Sequence, residues 1–232
     1  MRLYGHRGAR GERPENTLEG FRYAAGLGLA GIETDIAMTQ DRVAVLHHDA
    51  ELADGRLICQ LRHAELPAQI PTLEQALREI AVPEWLLEIK TYPTDRQKSH
   101  PPGAMVETVL AVLGQVQVHA AIKAFDWSVL REVALRAPKL TRICLTAPDT
   151  EAARDLWWGE GFAGMATAQA VASFGADIWS CWHGALQPAA IREARALGLE
   201  IFSWTVNEPD EFDRLAPEVD GLITDFPSRF MV

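Results

Sequence analysis

Apolar and polar residues alternate in nine short stretches of the chain, which is the pattern of a β-strand with a buried face. Amphipathic segments long enough for an α-helix separate most of these stretches. The predicted strands cover residues 2–6, 31–37, 43–48, 85–90, 120–125, 141–146, 177–182, 199–206 and 221–226. The predicted helices cover residues 72–81, 104–118, 127–137, 187–197 and 208–215, and a further helix starts after Asn16.

Strand followed by helix, repeated along the chain, predicts parallel strands joined by helical crossovers. The turn between Ala37 and Val43 is too short for a crossover, so residues 43–48 are predicted to return antiparallel to the second strand. Eight parallel strands then remain. The fold class is therefore α/β, a (β/α)8 TIM barrel with an extra antiparallel hairpin strand after strand 2, in one domain spanning residues 1–232.

Helix starts are predicted from capping residues. Asn16 and Thr72 each have a Glu or Gln three residues later, a capping-box pattern, and Asp126 and Asn207 follow strands directly. Residues 147–174 have no clean helical period and are predicted to form a long loop with a short helix.

Composition narrows the class of protein. Hydrophobic residues make up 48% of the chain and charged residues 23%, as in ordinary globular domains. The formal net charge is -10 and no basic run is present, which argues against a nucleic-acid partner. Three cysteines without CxxC spacing suggest a reducing compartment. With neither a signal-peptide pattern nor a long apolar segment, we expect a cytoplasmic protein without an integral membrane segment.

Candidate chemistry lies where predicted strands end. Glu33 and Asp35 share one face of the second strand, and two anions one pleat apart need a cation or strong donors between them. Glu88 and Lys90 likewise share a face on the strand over residues 85–90. Carboxylates from neighbouring strands, without cysteine or a His-x-x-x-His helix, favour one hard divalent cation, Mg²⁺ or Ca²⁺, over zinc.

Two histidines and two further cations complete this group. His6 and His48 come from separate segments, and imidazoles act as acid or base near neutral pH. Arg7 and Lys90 offer positive charge to a phosphate. Together these residues predict cation-assisted cleavage of a phosphodiester, with a small-molecule substrate.

A series of motifs extends along nearly the whole chain. The motifs in order are HRG (6–8), PENT (14–17), ExD (33–35), TxD (39–41), HD (48–49), PTLEQAL (71–77), LEIK (87–90), AFDW (124–127), WTVN (204–207) and ITDFP (223–227). In this order and spacing they resemble the glycerophosphodiester phosphodiesterase family. The resemblance implies hydrolysis of deacylated phospholipids, such as glycerophosphocholine, to glycerol 3-phosphate and an alcohol. It implies these roles: Glu33, Asp35 and Glu88 as metal ligands, His6 and His48 as the acid–base pair, and Arg7 and Lys90 as phosphate contacts.

Two stretches depart from the family pattern. Residues 48–61 lack the Arg-Thr-Thr-x-Gly element that many members carry, which leaves substrate choice open. Ala124 stands where serine is frequent, and Lys123 beside it either faces the mouth or lies on the rim. Trp204 is a candidate substrate contact, with core packing as the alternative.

Several structural alternatives remain. The carboxylates could form a buried ion-pair network with Arg7 and Lys90 and hold no metal. His47 is assigned a structural role, and Asp225 either closes the barrel end or orients a neighbour.

Two alternative functions also remain. One is a lysophospholipase D-like phosphodiesterase, for which an apolar approach is sought at residues 157, 158, 162 and 165. The other is a non-catalytic binding module on the same fold. The sequence leaves the oligomeric state open.

Overall fold

A computed structural model describes residues 1–231 of the chain. Its strands are β1 Arg2–His6, β2 Gly31–Met38, β3 Ala44–Leu46, β4 Glu84–Ile89, β5 Ala120–Ala124, β6 Arg142–Thr146, β7 Ile178–Trp182, β8 Glu200–Trp204 and β9 Gly221–Thr224. Its α-helices are α1 Leu18–Gly26, α2 Leu73–Glu79, α3 Pro102–Leu113, α4 Trp127–Arg136, α5 Pro148–Ala152, α6 Arg154–Trp157, α7 Thr167–Phe174, α8 Pro188–Ala196 and α9 Pro209–Leu215.

The strands form a closed barrel. Eight of the nine strands within residues 1–231 pair in parallel in the order β1-β2-β4-β5-β6-β7-β8-β9, and β9 pairs back onto β1. Helices connect these strands, as right-handed crossovers require. The prediction of a (β/α)8 TIM barrel is therefore confirmed.

The extra strand β3 extends one edge of β2 beyond the end of β1. β1 pairs with β2 as far as the pair His6 and Glu33, and β3 then pairs antiparallel from Ile36 to Leu46. This confirms the predicted hairpin after the second strand. The hairpin lies at the carboxyl end of the barrel, where active sites of this architecture occur.

Apolar side chains fill two layers. Inside the barrel, a cluster contributed by seven strands closes the amino-terminal half: Tyr4, Leu86, Ala121, Ile143, Ile178, Phe202 and Ile223. Outside, a larger core packs the other strand faces against the helices. The inner apolar layer separates the charged side chains at the carboxyl-terminal end of the barrel from Arg2, Glu84 and Glu200 at its amino-terminal end.

Two predicted helix caps are wrong. The cap of α1 is Thr17, whose hydroxyl accepts a hydrogen bond from the Gly20 amide, whereas Asn16 turns into the barrel mouth. Helix α9 follows Glu208, and the Asn207 side chain instead bonds to Asp225.

The other predicted caps are confirmed, since Thr72 and Asp126 accept hydrogen bonds at the starts of α2 and α4. Residues 147–174 contain α5, α6 and α7 rather than one short helix, because Pro148 starts one helix and glycines at 159, 161 and 164 interrupt the rest.

A tight turn after β1 requires a glycine at position 5. The Gly8 carbonyl oxygen lies 1.8 Å from where a Cβ on residue 5 would stand, so position 5 must be glycine. Arg7 has a φ of 50°, and the turn it makes brings its side chain back over the barrel. Across residues 1–231, no helix has the length and apolar character needed to traverse a lipid bilayer.

Candidate active site

Three carboxylates from adjacent strands meet at the carboxyl-terminal end of the barrel. Glu33 and Asp35 lie on β2, and Glu88 lies beside Asp35 on β4. One oxygen from each carboxylate lies within 4.8 Å of the other two, and all three residues are buried. The predicted convergence of these residues is confirmed as geometry.

Arg7 and Lys90 bind these carboxylates from the rim. Arg7 Nε lies 3.1 Å from Asp35 Oδ2, and its backbone amide donates to Glu33 Oε2 at 3.1 Å. Lys90 Nζ lies 2.7 Å from Glu88 Oε1 and 3.5 Å from Asp35 Oδ1. Arg7 and Lys90 therefore bring two positive charges to the carboxylate cluster.

Lys123 also faces the interior of the mouth. Its Nζ lies 3.0 Å from Glu33 Oε1 and 3.8 Å from Glu88 Oε2, and the residue is 3% exposed. The alternative of a rim lysine is therefore excluded.

The ion pairs control protonation of the site. Burial alone would raise the pKa of Asp35, but the charges of Lys90, Arg7, His48 and His6 bring it well below the usual range. Burial would lower the pKa of Lys90, yet Glu88 and Asp35 raise it above its usual value. Asp35 is therefore a carboxylate, and Lys90 an ammonium, at neutral pH.

His6 lies at the end of β1, between two carboxylates. Its Nδ1 is 2.6 Å from Asp225 Oδ1, and its Nε2 is 3.8 Å from Glu33 Oε2. An ionised carboxylate only accepts hydrogen bonds, so Asp225 holds the proton on Nδ1 and leaves Nε2 facing the site. Asn207 in turn donates to Asp225 Oδ2 at 2.8 Å. Asp225 therefore orients the ring of His6. Of the two roles considered for Asp225, this is the orienting one rather than closure of the barrel end.

His48 follows β3 and has the same type of partner. Its Nδ1 lies 2.7 Å from Asp49 Oδ1, and its side chain is 35% exposed. The His47 amide donates to the Asp35 carbonyl at 3.1 Å, so the segment that carries His48 lies beside the end of β2. His47 instead bonds through Nδ1 to the Asp49 carbonyl, in agreement with a structural role.

Asn16 is a site residue that the sequence reasoning missed. Its Nδ2 donates to Asp35 Oδ2 at 3.1 Å, and its Oδ1 accepts from the Thr34 hydroxyl at 2.7 Å. The signal available was Asn beside Thr17, because two adjacent capping residues cannot both cap one helix.

Two clefts lie among the loops that follow the strands. One of about 340 Å³ is lined by His48, Asn16 and residues 52–54 of the segment that departs from the family pattern. The other, of about 500 Å³, is lined by Tyr92, Asp126 and Trp157 among others.

The aromatic residues sort into core and rim. Trp158 is fully buried, with its ring 4.5 Å from that of Trp127, so it offers no apolar approach to the mouth. Trp204 is half-buried at the end of β8, where its Nε1 donates to the Ser180 carbonyl. Phe125 lies 5.5 Å from Trp204 and 6.4 Å from Trp157, measured between ring centroids, and these three rings form an arc along the mouth.

A comparison with protein-family models decides the family. Residues 6–229 match the model described as the glycerophosphoryl diester phosphodiesterase family. The chain belongs to this family. "Probable glycerophosphodiester phosphodiesterase 2" of Mycobacterium tuberculosis is 31% identical over 248 residues, covering 95% of this chain and 85% of that protein. A glycerophosphodiester phosphodiesterase of Caldanaerobacter subterraneus is 26% identical over 265 residues, covering 97% of this chain and 94% of that protein.

Solved structures agree with this assignment. A proposed glycerophosphoryl diester phosphodiesterase from Silicibacter pomeroyi has a TM-score of 0.87 and 31% identity, covering 99% of this chain and 91% of that one. An Oleispira antarctica phosphodiesterase, solved with its product sn-glycerol-3-phosphate, shares the fold with a TM-score of 0.83 and 20% identity, covering 99% of this chain and 94% of that one. The protein is an enzyme of the glycerophosphodiester phosphodiesterase class, a hydrolase of phosphoric diesters.

Proposed function

We propose that this enzyme hydrolyses glycerophosphodiesters to glycerol 3-phosphate and an alcohol, using one divalent cation held by Glu33, Asp35 and Glu88. The convergence of three buried carboxylates beside two carboxylate-held imidazoles carries this proposal. The glycerol 3-phosphate bound to the Oleispira antarctica enzyme, which shares the barrel, supports the proposed product.

The donor set fits a hard cation. Carboxylate oxygens are the ligands that Mg²⁺ and Ca²⁺ prefer, and three of them lie within 4.8 Å of one another. When bound, such an ion would neutralise charge on the phosphate oxygens as phosphorus becomes five-coordinate.

Arg7 and Lys90 would hold the phosphate. Arg7 contacts Asp35 through Nε and Glu15 through Nη1, so it is fixed on two sides at the mouth. Lys90 is fixed by Glu88 and Asp35. Positive groups held in place in this way stabilise developing charge without reorganising, which is the largest contribution in most phosphate chemistry.

His6 and His48 would exchange the protons. In each, a carboxylate at Nδ1 fixes the ring and leaves Nε2 for the substrate. A neutral imidazole held in this way accepts a proton from the nucleophile, and a charged one donates a proton to the departing alkoxide. The nucleophile is either water, which gives glycerol 3-phosphate directly, or the glycerol 2-hydroxyl, which displaces the alcohol to form a cyclic phosphate that water then opens.

The test removes the cation and each imidazole in turn. We expect EDTA to abolish hydrolysis of glycerophosphocholine, and Mg²⁺ or Ca²⁺ to restore it.

His6→Ala and His48→Ala should each lower kcat by about 10²–10⁴-fold. A substrate with a very good leaving group should rescue whichever variant lacks the acid. Full turnover in EDTA would contradict the cation, and near wild-type turnover of both variants would contradict the acid–base pair. Activity that depends on the ion would also exclude the binding module.

The aromatic arc favours a second candidate, a lysophospholipase D-like activity on an acylated diester. Trp157, Phe125 and Trp204 place half-buried rings beside the mouth, and Trp182 pairs with Trp204 on the neighbouring strand. Apolar rings at a mouth can pack against an acyl chain. Comparison of kcat/KM for glycerophosphocholine and its lyso form separates the two candidates, and Trp157→Ala should reduce only the activity on the lyso form.

We propose a cytoplasmic location and a single domain over residues 1–232. The net charge of -10 and the scattered cysteines support the first, and the one closed barrel supports the second. Cell fractionation and limited proteolysis test these proposals.

A further inference from the structure

Lys123 lies between two of the three carboxylates proposed to hold the cation. It projects from β5 into the barrel, where its Nζ contacts Glu33 Oε1 at 3.0 Å and Glu88 Oε2 at 3.8 Å. The residue is 3% exposed, so its ammonium group has lost nearly all contact with water. Within residues 1–231, these two carboxylates are its only ion-pair partners.

Each of the three carboxylates has a positively charged side chain beside it. The ion pairs join Glu33, Asp35 and Glu88 to Arg7, Lys90 and Lys123. Burial of carboxylates is costly unless opposite charges compensate it. Because Glu33 is fully buried, the ammonium group of Lys123 stabilises it where no divalent ion does so.

A divalent ion held by Glu33 and Glu88 would bind the same two carboxylates that Lys123 contacts. The ammonium group of Lys123 is within ion-pair distance of both, 3.0 Å from Glu33 Oε1 and 3.8 Å from Glu88 Oε2. A divalent ion and an ammonium group on the same carboxylates repel each other, since like charges a few ångströms apart interact strongly in a buried site.

We propose that Lys123 is a tethered cation that occupies the carboxylate cluster in the ion-free enzyme and competes with the divalent ion for Glu33 and Glu88. This inference rests on the proposed function, because it takes these carboxylates as the ion's ligands. Lys123 is thus a positioning residue. It keeps the site assembled before the ion binds, and it weakens the affinity of the site for that ion.

The first test measures ion affinity directly by calorimetric titration with Mg²⁺ and with Ca²⁺ in the absence of substrate. Lys123→Met and Lys123→Gln remove the charge and should lower the Kd for the ion by about tenfold or more. Lys123→Arg retains a cation and should stay near the wild-type Kd. Lys139→Met removes an exposed lysine and serves as the matched control, with an unchanged Kd.

The second test measures thermal unfolding with and without the ion. Lys123→Met and Lys123→Gln leave Glu33 without its cation, so their ion-free Tm should fall below that of the wild type. Added Mg²⁺ or Ca²⁺ should raise their Tm by more than it raises the wild-type Tm, because tighter binding stabilises the folded state more. If the ion-free variants do not fold at all, saturating ion should restore their circular dichroism. Variants that remain unfolded with the ion would overturn the proposal.

The outcomes separate this proposal from the proposed function. If the wild type binds neither ion and keeps its activity in EDTA, the function proposal fails and this one with it. If the wild type binds the ion but the charge-removing variants keep its Kd, only the role of Lys123 is overturned. A raised KM for glycerophosphocholine at unchanged ion affinity would likewise overturn it, since Lys123 would then act as a phosphate contact.

Discussion

Asn16 joins the start of a helix to the carboxylate cluster. It has a φ of 53°, a left-handed conformation that asparagine tolerates better than most residues. This backbone turns its side chain inward, where it binds Asp35 and Thr34, while Thr17 caps α1. One residue therefore fixes Asp35, and its neighbour fixes the helix.

Asn16→Gly tests this role at the residue scale. Glycine keeps the left-handed backbone and removes only the side-chain bonds, so the free energy of unfolding in EDTA should fall by about 1–3 kcal/mol. Urea unfolding measures this loss. The variant should also bind Mg²⁺ more weakly in a calorimetric titration, because Asp35 is no longer held.

Thr17→Ala is the control. Its free energy of unfolding should fall by about 1 kcal/mol through loss of the helix cap, and its ion affinity should stay that of the wild type. Equal ion affinity in the two variants would contradict the role of Asn16.

Asp225 fixes the ring of His6 and lowers its own pKa in doing so. Burial would raise the pKa of Asp225, but the hydrogen bond from His6 and its nearby charge bring that pKa below the usual value. Asp225→Asn puts an amide at this place and no longer favours the proton on Nδ1. We expect kcat to fall by about 10²-fold with little change in KM, measured by steady-state kinetics. Asp213→Asn, at an exposed carboxylate on α9, should leave both constants unchanged. A change in KM alone would contradict the role of Asp225 as an orienting residue.

The sequence predicted the charged residues of the site better than the polar residues that support them. Glu33, Asp35 and Glu88 sit on alternating strand positions, so strand periodicity alone places them on one face. Asn16 and Asn207 were read as helix caps because local sequence favours that use of asparagine. Their partners, Asp35 and Asp225, are distant in sequence, and only the closed barrel brings each pair together.

At the scale of elements, Asp220 ties α8, β8 and β1 together before β9 begins. Its Oδ2 accepts from the Ile201 amide at 2.8 Å and from Arg195 Nη1 at 2.5 Å, and its carbonyl accepts from the Arg2 amide. Burial would raise the pKa of Asp220, but these hydrogen bonds and the charge of Arg195 lower it below the usual value. The folded state therefore favours the ionised form of Asp220.

This preference predicts a dependence of stability on pH. The pKa of Asp220 in the unfolded chain is about 4, and its pKa in the folded protein is lower. The ionised Asp220 therefore stabilises the fold above about pH 4. This contribution is lost as the pH falls through the folded pKa. Asp220→Asn should cost about 1 kcal/mol near neutral pH, a modest value because the group is partly exposed. The difference from wild type should shrink as pH falls from about 5 to about 3. Urea unfolding across this range measures it, and a constant difference would contradict the assignment.

At the same scale, short elements were harder to predict than long ones. The strands and the longer helices have clear periodicity, and their bounds differ from prediction by a few residues. Residues 147–174 break into three helices because proline and glycine interrupt the period, while burial of Trp158 and Phe162 holds the segment on the core. Such packing comes from distant partners such as Trp127, which no local pattern reveals.

At the scale of the whole molecule, a local group of positive side chains lies in an acidic protein. Arg7, Lys90 and Lys123 pair with the carboxylate cluster, while the chain carries a formal net charge of -10. At a distance, a substrate therefore meets the negative electrostatic potential of the whole protein. The positive charges of Arg7, Lys90 and Lys123 act on it only at close range. Salt screens the long-range repulsion and leaves buried contacts nearly unchanged.

This charge distribution predicts that salt affects two kinds of diester differently. Glycerophosphocholine has no net charge, whereas glycerophosphoglycerol has one negative charge, so only the second is repelled at a distance. We expect kcat/KM for glycerophosphoglycerol to rise relative to that for glycerophosphocholine as salt increases from about 20 to about 200 mM, at saturating divalent ion. Measuring both substrates at each salt concentration controls for effects on the enzyme itself. A fall in the ratio would mean that the positive mouth, rather than the net charge, steers the substrate.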